Sequence, residues 1–346
     1  MSIHFRGQLP VAPRPRTSAG VVRHPYDPSL RVTALGGGHG LYGTLSALRL
    51  IAGEITAVVT VADDGGSSGR IRHEMDVLPP GDLRMALAAL CDDTDWGTTW
   101  RDVMQHRFKS KEDVDGTLDD HALGNLLIVA LWELLGDPVA GLRWAGALLG
   151  ARGQVLPMST VPLVMSGTIL SEDDHGTLRH QRITGQAALA EAGRHGRVSQ
   201  ISLDPEEAPA CPEALEAIEL SDWVILGPGS WYTSVLPHLM LPAQREALVN
   251  TPARRALVMN LATETTETTG MSAEDHLEVL RSTAPDLRLD AVIADPGSIG
   301  DHVSFQEAAS RLGAQVHFSK VGAGSEGAVH DPLRLAVAFH EAFGIT

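Results

Sequence analysis

The sequence predicts a doubly wound α/β fold, in which a mostly parallel sheet lies between two layers of helices. From Arg31 onward, short apolar runs alternate with turns and amphipathic helical segments, which is the order of elements in such a fold. Two segments interrupt the alternation: a block of consecutive helices and a stretch with the pattern of a β-hairpin. We therefore expect a single α/β domain over residues 31–346 that carries an inserted helical block and a hairpin.

The first elements form a βαβ unit, followed by the helical block. The unit consists of a strand at 31–35, a glycine-rich loop at 36–40, a helix at 41–51 and a strand at 55–62. The block has helices starting at Asp82, at Trp100, near His121 and after Pro138, with no strand signal between them.

The hairpin and a second series of strands follow. Residues 161–170 and 177–185 flank the turn-rich segment 171–176 and are predicted to pair as a hairpin. Regular alternation then resumes, with strands at 198–203, 222–227, 255–262, 289–295 and 314–318 and helices beginning near Pro212, Tyr232, Ser272, Ser304 and Asp331.

Composition limits the classes of partner. Of the 346 residues, 43% are hydrophobic and 20% are charged, which is typical of a soluble globular protein. The 43 acidic and 27 basic residues give a net charge of −16, which disfavours nucleic acid and anionic membranes as partners. Cys91 and Cys211 are far apart and form no CxxC pattern, so we expect neither a disulfide framework nor a zinc site.

Membrane and targeting signals are missing from the sequence pattern. The longest apolar run lies within residues 123–136 and contains Glu133, so we expect no membrane span. Residues 1–30 are rich in proline and arginine and lack the apolar centre of a secretory signal. We expect them to form a mobile N-terminal extension of a cytoplasmic protein, and the pattern leaves open a homo-oligomer.

A first glycine loop lies between the first strand and the first helix. Glycines in this position let the backbone approach an anion, and the helix directs its free N–H groups and positive dipole end into the loop. We expect phosphate or nucleotide binding here; a tight turn needed only for helix packing is the alternative. The glycines concerned are Gly36, Gly37, Gly38 and Gly40, whereas His39 is expected to be merely exposed.

A second glycine loop follows the strand at 222–227, where hydroxyl groups stand at the start of a helix. Two such loops at the carboxyl ends of two strands are what an open α/β sheet offers at its switch point, the crevice where ligands bind. The alternative is that Ser230 only caps the helix. The candidate phosphate-binding residues are Gly227, Gly229, Ser230, Thr233 and Ser234.

An acidic loop at 63–70 follows the second strand. Asp63 stands where a nicotinamide enzyme would hold a ribose hydroxyl, about twenty residues after a glycine loop. Asp63 and Asp64 are equally suited to hold Mg²⁺ together with ligand phosphates, and Ser67 and Ser68 to contact the ligand. A solvated turn is the remaining interpretation.

Two further segments carry polar side chains near apolar ones. Asp82 is expected to be the N-cap of its helix, and Arg84 can reach an anion. His121 and Asn125 lie on one face of the helix that is predicted to start near His121. They form either a hydrogen-bonded core pair or a contact to the ligand, for which Asn125 is the candidate. We find no Ser/His/Asp triad and no HExxH helix in the sequence.

These segments together resemble a known family. In order, the motifs are "GGGHG", "TVADDGGSSGR", "PPGDLR", "HALGNLLI", "VLPMS", "GPGSWYTSVLP" and "HDPLRLA". They are similar to those of the YvcK-type gluconeogenesis factors, which share a superfamily with the 2-phospho-L-lactate transferases (CofD). The resemblance extends from about Val32 to the C-terminus.

The resemblance implies a Rossmann-like fold and a cytoplasmic bacterial protein needed for cell shape and for growth on gluconeogenic carbon sources. In the YvcK branch it implies binding of a nucleotide-sugar such as UDP-N-acetylglucosamine, with Asn260 among the binding residues. In the transferase branch it implies Mg²⁺-dependent transfer of a phospholactyl group from a nucleotide-activated donor to a deazaflavin, with Asp63 or Asp64 holding the ion. A nicotinamide oxidoreductase, suggested by the βαβ unit alone, is a third hypothesis.

The chain departs from the family pattern at three places. His39 stands where relatives have threonine, which removes one hydroxyl contact. The segment 263–270, "TETTETTG", replaces a TQPGET motif after Asn260, and Val329 replaces a basic residue before His330. If that basic residue grips a diphosphate, this chain binds the nucleotide-sugar weakly or prefers another ligand.

Overall fold

The computed structural model describes residues 26–111, 116–172, 178–193, 196–262, 268, 270–324 and 329–345. The extension predicted at 1–30 therefore lies mostly outside the described residues, as do most of the hairpin turn and most of the "TETTETTG" segment. The described strands are β1 (Asp27–Gly36), β2 (Ala52–Val59), β3 (Gln154–Pro157), β4 (Val164–Glu172), β5 (Leu178–Thr184), β6 (Arg197–Asp204), β7 (Trp223–Leu226), β8 (Arg254–Val258), β9 (Ala291–Ala294) and β10 (Gln315–Phe318).

Helices connect these strands. They are α1 (Gly38–Leu48), α2 (Gly66–Met75), α3 (Pro80–Leu90), α4 (Asp95–Gln105), α5 (Leu123–Leu135), α6 (Pro138–Leu149), α7 (Gln186–Ala192), α8 (Pro212–Leu220), α9 (Pro237–Met240), α10 (Pro242–Asn250), α11 (Ala273–Thr283), α12 (His302–Arg311) and α13 (Pro332–Phe343). A single π-helical turn at Trp231–Val235 precedes α9. Within the described part of the chain, none of these helices has the length and apolar character needed to span a bilayer.

The main sheet confirms the predicted α/β class. Its seven strands are all parallel and lie in the order β10-β9-β8-β7-β1-β2-β3. Along the chain, β1, β2 and β3 form one half of the sheet in that order. The chain then returns to the other side of β1, where β7 is the first strand of the second half. The carboxyl ends of β1 and β7 therefore flank the switch point, where doubly wound sheets bind their ligands.

The hairpin forms as predicted, but it belongs to a separate small sheet. β4 pairs antiparallel with β5 and, on its other side, with β6. The strand predicted at 198–203 was expected to continue the main alternation, and it is instead this third strand. Burial along β6 is mixed, with Val198 and Leu203 buried and Gln200 and Asp204 exposed, whereas all four residues of β7 are buried.

Strand β1 starts at Asp27, four residues before the strand predicted at 31–35. Pro28 can lie against β2 because Gly53 has no side chain: a Cβ there would overlap the Pro28 carbonyl group. The segment predicted as an irregular acidic loop at 63–70 contains the start of α2, and β3 carries no prediction at all. The central strands β7 and β9 are buried on both faces, which is why they read as continuous apolar runs, whereas the edge strand β10 has no fully buried residue.

Candidate functional site

The two glycine loops contact each other directly at the switch point. A Cβ on Gly40 would overlap the carbonyl group of Pro228, and it would lie 2.8 Å from the Cα of Gly229. Thr44 of α1 adds a hydrogen bond, its hydroxyl donating to the Gly227 carbonyl oxygen at 3.2 Å. Gly40 is therefore required for the approach of the two loops to each other.

Glycine is required at positions 37 and 38 for different reasons. A Cβ on Gly37 would lie 2.5 Å from Asp82 Oδ2 and 2.6 Å from Thr60 Oγ1, so this glycine makes room for the Asp82 carboxyl group. Gly38 has φ +56°, which favours glycine, and its N–H donates to Asp82. Above Gly38 the nearest atom to a Cβ would be Asp82 Oδ1 at 4.0 Å, so this glycine borders open space.

The second loop is held by side chains that the sequence pattern assigned to the ligand. Asn260 Oδ1 accepts from the Gly229 N–H at 2.9 Å, and Asn260 Nδ2 donates to the Gly229 carbonyl oxygen at 2.8 Å. The hydroxyl of Ser230 accepts from the Thr233 N–H at 3.1 Å and from the Thr233 hydroxyl, so Ser230 does cap the helical turn. Ser234 donates its N–H to the Ser230 carbonyl and lies beneath Gly37. Asn260 and Thr233 thus shape the loop.

A fully buried histidine that the sequence analysis missed supports the first loop. His238 Nε2 lies 3.5 Å from the Gly36 carbonyl oxygen, and His238 Nδ1 is 2.7 Å from Gln244 Nε2. Burial lowers the pKa of His238 to about 3, so it is neutral and holds the end of β1 as a hydrogen-bond donor. The signal was a lone histidine in the apolar segment 235–241.

The structure separates the two adjacent carboxylates of the acidic loop. Asp64 Oδ1 accepts from the Ala187 N–H at 2.8 Å and thereby caps the N-terminus of α7. Asp63 turns the other way, accepting from the Gly65 N–H at 3.0 Å, and its Oδ2 would be 3.3 Å from a Cβ on Gly81. Asp63 therefore lies against the start of α3, and its charge acts on Asp82, the residue after Gly81.

Asp82 is the third residue of α3 and not its N-cap, which corrects the expectation from the sequence: the N-cap is Pro79. Its carboxyl group is free to reach across to the start of α1 because α3 already begins two residues earlier. Loss of water contact and the charge of Asp63 raise the pKa of Asp82 to about 7. Burial, with the charge of Asp64, also raises the pKa of Asp63.

The pair Asp63 and Asp82 fits a divalent cation. Mg²⁺ commonly takes one or two carboxylates and completes its shell with water and ligand phosphates. Two carboxyl groups whose pKa values are raised by poor solvation and by a neighbouring negative charge are stabilised by such an ion. Among the described residues no cluster of three or more His, Cys, Asp or Glu side chains forms a closed metal cage.

The remaining predicted residues of this region join three helices. Ser68 Oγ accepts from the Gly81 N–H at 3.1 Å. Ser67 Oγ lies 3.1 Å from His121 Nδ1 and accepts from Asn125 Nδ2 at 3.0 Å. Ser67, Ser68, His121 and Asn125 are all buried, so they link α2, α3 and α5 and lie behind the surface of the crevice.

At the positions that the structure describes, the departures from the family pattern lie at the edge of the site. His39 is exposed, as expected, and Val329 is 62% exposed. His330 contacts the Met259 carbonyl oxygen through Nε2 at 3.2 Å. The segment 263–270 is described only at Thr268 and Gly270.

Comparisons with known proteins support the fold and the family resemblance. A sequence model of the CofD family, 2-phospho-L-lactate transferase, matches residues 32–325. A Mycobacterium tuberculosis protein named provisionally as a gluconeogenesis factor is 47% identical over 88% of each chain. The gluconeogenesis factor of Bacillus subtilis is 35% identical over 79% of this chain and 81% of its own. A crystal structure of a UPF0052 family member from Bacillus halodurans has a TM-score of 0.77 and 32% identity, covering 90% of this chain and 98% of that one.

Proposed function

The chain belongs to the CofD family, in its gluconeogenesis-factor branch, and from this we propose that its switch-point crevice binds a nucleotide-sugar, with the diphosphate lying over the two glycine loops where they meet. UDP-N-acetylglucosamine is the ligand type that the family resemblance favours. The proposal includes a cytoplasmic location and a role in cell shape during growth on gluconeogenic carbon sources.

The observation that carries the proposal is the contact of the two glycine loops at the carboxyl ends of β1 and β7. Gly40 and Gly229 bring the loops together, while Gly38 leaves open space above its backbone. The N-cap residue of α1, Gly37, has no capping side chain, and the first turn of α1 contains no acidic residue, although the Gly38 N–H donates to Asp82. An anion bound there would meet backbone N–H groups and the positive end of the helix dipole.

The carboxyl group of Asp82 makes a cation part of the proposal. It lies against the loop that would hold the phosphates, and a second acidic group, Asp63, is its neighbour. Ionised carboxylates repel phosphate unless positive charge lies between them. We expect Mg²⁺, held by Asp63 and Asp82, to supply that charge when the nucleotide binds.

The same carboxylate pair favours one alternative activity. A transferase acting on a nucleotide-activated phosphoester needs positive charge where the bridging phosphate oxygen gains negative charge. Asp63 and Asp82 would hold the ion that provides it, and the loop at 227–230 would orient the phosphate. Product formation from a nucleotide-activated phospholactate and a deazaflavin distinguishes this activity from binding alone.

We expect saturating UDP-N-acetylglucosamine to raise the melting temperature of the protein by about 5 °C. A ligand that binds only the folded state at one hundred times its Kd contributes about 2.7 kcal/mol, which corresponds to several degrees in a chain of this size. The measurement is thermal unfolding with UDP-N-acetylglucosamine, with NAD and with inorganic phosphate, each with Mg²⁺. A shift with NAD and none with the nucleotide-sugar would contradict the proposal and favour an oxidoreductase.

A further inference from the structure

Arg84 is a buried cation without a carboxylate partner. Its side chain is 4% exposed, yet it forms no ion pair within the described part of the chain. Its one hydrogen bond to the protein there is from Nε to Asn125 Oδ1, at 2.9 Å, and this acceptor is a neutral amide. Burial lowers the pKa of Arg84 to about 10, so it is charged at neutral pH. Burying a charge without a counter-charge is costly, and proteins rarely retain one unless something else compensates it.

The surroundings hold the guanidinium group in place. A Cβ on Gly124 would lie 2.8 Å from Arg84 Cδ and 2.9 Å from Cγ. Because this residue of α5 is glycine, the aliphatic part of the Arg84 side chain can pack against it. Asn125 is itself fixed by its bond to Ser67 Oγ, which also contacts His121 Nδ1. This polar chain orients Arg84 but supplies no negative charge to it.

The electrostatic environment of Arg84 on this side is positive. The helices α2 and α5 both begin beside it, through Ser67 and Asn125, and neither has a side-chain cap or an acidic residue in its first turn. The charge of Arg107 also acts on Arg84. Among the described residues, Asp82 is the acidic group that attracts it; Asp82 lies two residues earlier on α3 and accepts from the Gly38 N–H of the first glycine loop. Arg84 lies within one helical turn of Asp82, the residue of α3 that borders the first glycine loop.

We propose that Arg84 binds an anionic group of the ligand, a carboxylate or a phosphate, that lies outside the diphosphate held by the glycine loops. This inference rests on the proposed function, since it concerns a further anion subsite beside the same crevice. A planar guanidinium whose Nε is held by Asn125 keeps its two terminal nitrogens for bidentate binding of such a group. The ligand class is then an acid-bearing nucleotide-sugar, or a nucleotide together with a second anionic molecule.

Two kinds of probe distinguish an acidic group on the nucleotide-sugar from a separate anionic molecule. UDP-glucose and UDP-glucuronate differ only in a neutral hydroxymethyl group and a carboxylate, and inorganic phosphate added to UDP-saturated protein represents a separate anion. We expect the full-length protein either to bind UDP-glucuronate at least tenfold more tightly than UDP-glucose or to bind phosphate beside UDP. In Arg84→Gln, calorimetry should show at least a tenfold loss of that preference or of that phosphate binding, with UDP affinity changed by less than threefold.

The control is Arg107→Gln, which removes the same charge nearby from a half-exposed arginine that already pairs with Asp120 at 3.4 Å. This substitution should leave the preference for UDP-glucuronate and the binding of phosphate unchanged. Asn125→Asp gives Arg84 a carboxylate partner, so it should fold and lose anion binding as Arg84→Gln does. Arg84→Lys, which keeps the charge without the planar fork, should retain part of the binding and serves if Arg84→Gln does not fold.

The proposal is overturned if wild-type protein shows neither preference nor phosphate binding, if Arg84→Gln and Asn125→Asp bind the anions as wild type does, or if Arg84→Gln loses UDP itself. If wild-type protein does not bind UDP, the proposed function fails, and phosphate without UDP becomes the probe for Arg84. A tenfold loss of phosphate affinity in Arg84→Gln but not in Arg107→Gln would then still support an anion site, and an unchanged affinity would exclude it.

Discussion

Replacing Gly40 by alanine is expected to lower the free energy of unfolding by about 2 kcal/mol and to weaken nucleotide-sugar binding at least tenfold. The added methyl group would overlap the Pro228 carbonyl, which is backbone and can yield only if the loop at 227–230 moves away from α1. Gly40 does not have the positive φ of Gly38 and Gly229, so its substitution tests the contact without backbone strain. Denaturant unfolding and calorimetry with UDP-N-acetylglucosamine measure the two effects.

Gly43→Ala is the matched control, because it adds the same methyl group to the same helix. The nearest atom to that Cβ is His330 Cβ at 4.0 Å, an ordinary contact. Alanine in a helix interior is favoured over glycine by about 1 kcal/mol, so this variant should be slightly more stable and should bind normally. If Gly40→Ala matched it in both measurements, the contact of the two loops would have no role in binding.

Replacing Asp63 or Asp82 by asparagine is expected to remove the Mg²⁺-dependent part of nucleotide-sugar binding, at least a tenfold change in affinity. An amide offers an oxygen but not the negative charge that holds a hard cation. Calorimetry in Mg²⁺ and in chelator gives the dependence for each variant. Asp64→Asn is the matched control, since Asp64 bonds to the Ala187 N–H and not to the crevice; it should keep the Mg²⁺ dependence.

Asp82→Asn should also change the stability of the ligand-free protein in a pH-dependent way. The pKa of Asp82 is about 7 in the folded state and near 3.8 in the unfolded chain, so between these values the folded state holds a proton that the unfolded state lacks. Stability therefore falls as pH rises through this window. The variant should be more stable than wild type at pH 8 in chelator, and the gain should disappear towards pH 4. If the variant were less stable than wild type at pH 8 and its nucleotide-sugar binding still depended on Mg²⁺, the only role of Asp82 would be to hold the first glycine loop in place.

The sequence was sufficient for the parallel sheet and for both glycine loops, because buried strands and strand-to-helix turns leave strong local patterns. It was not sufficient to assign 198–203 to a sheet, since a strand's apolar pattern does not identify its partner. The start of α2 was missed because its first turn, beginning at Gly66, is small and polar and reads as a turn.

Within the site, the candidate positions were found but their roles needed the fold. Adjacent Asp63 and Asp64 suggested a joint site, yet successive side chains point in different directions, and here Asp64 caps α7 while Asp63 approaches Asp82. Asn125 was a candidate ligand contact, and in the structure its amide oxygen accepts a hydrogen bond from Arg84. Contacts between residues far apart in the chain decide these roles, and local spacing carries no signal for them.

The most direct test of the central claim is a crystal structure of the protein with UDP-N-acetylglucosamine and Mg²⁺. We predict that the diphosphate lies over the two loops where they meet, against the backbone of Gly38 and Gly229, with the cation between it and the carboxylates of Asp63 and Asp82. A nucleotide bound elsewhere, for example in the cavity of about 500 Å³ beside Asp64 and Arg72, with the glycine loops empty, would contradict it.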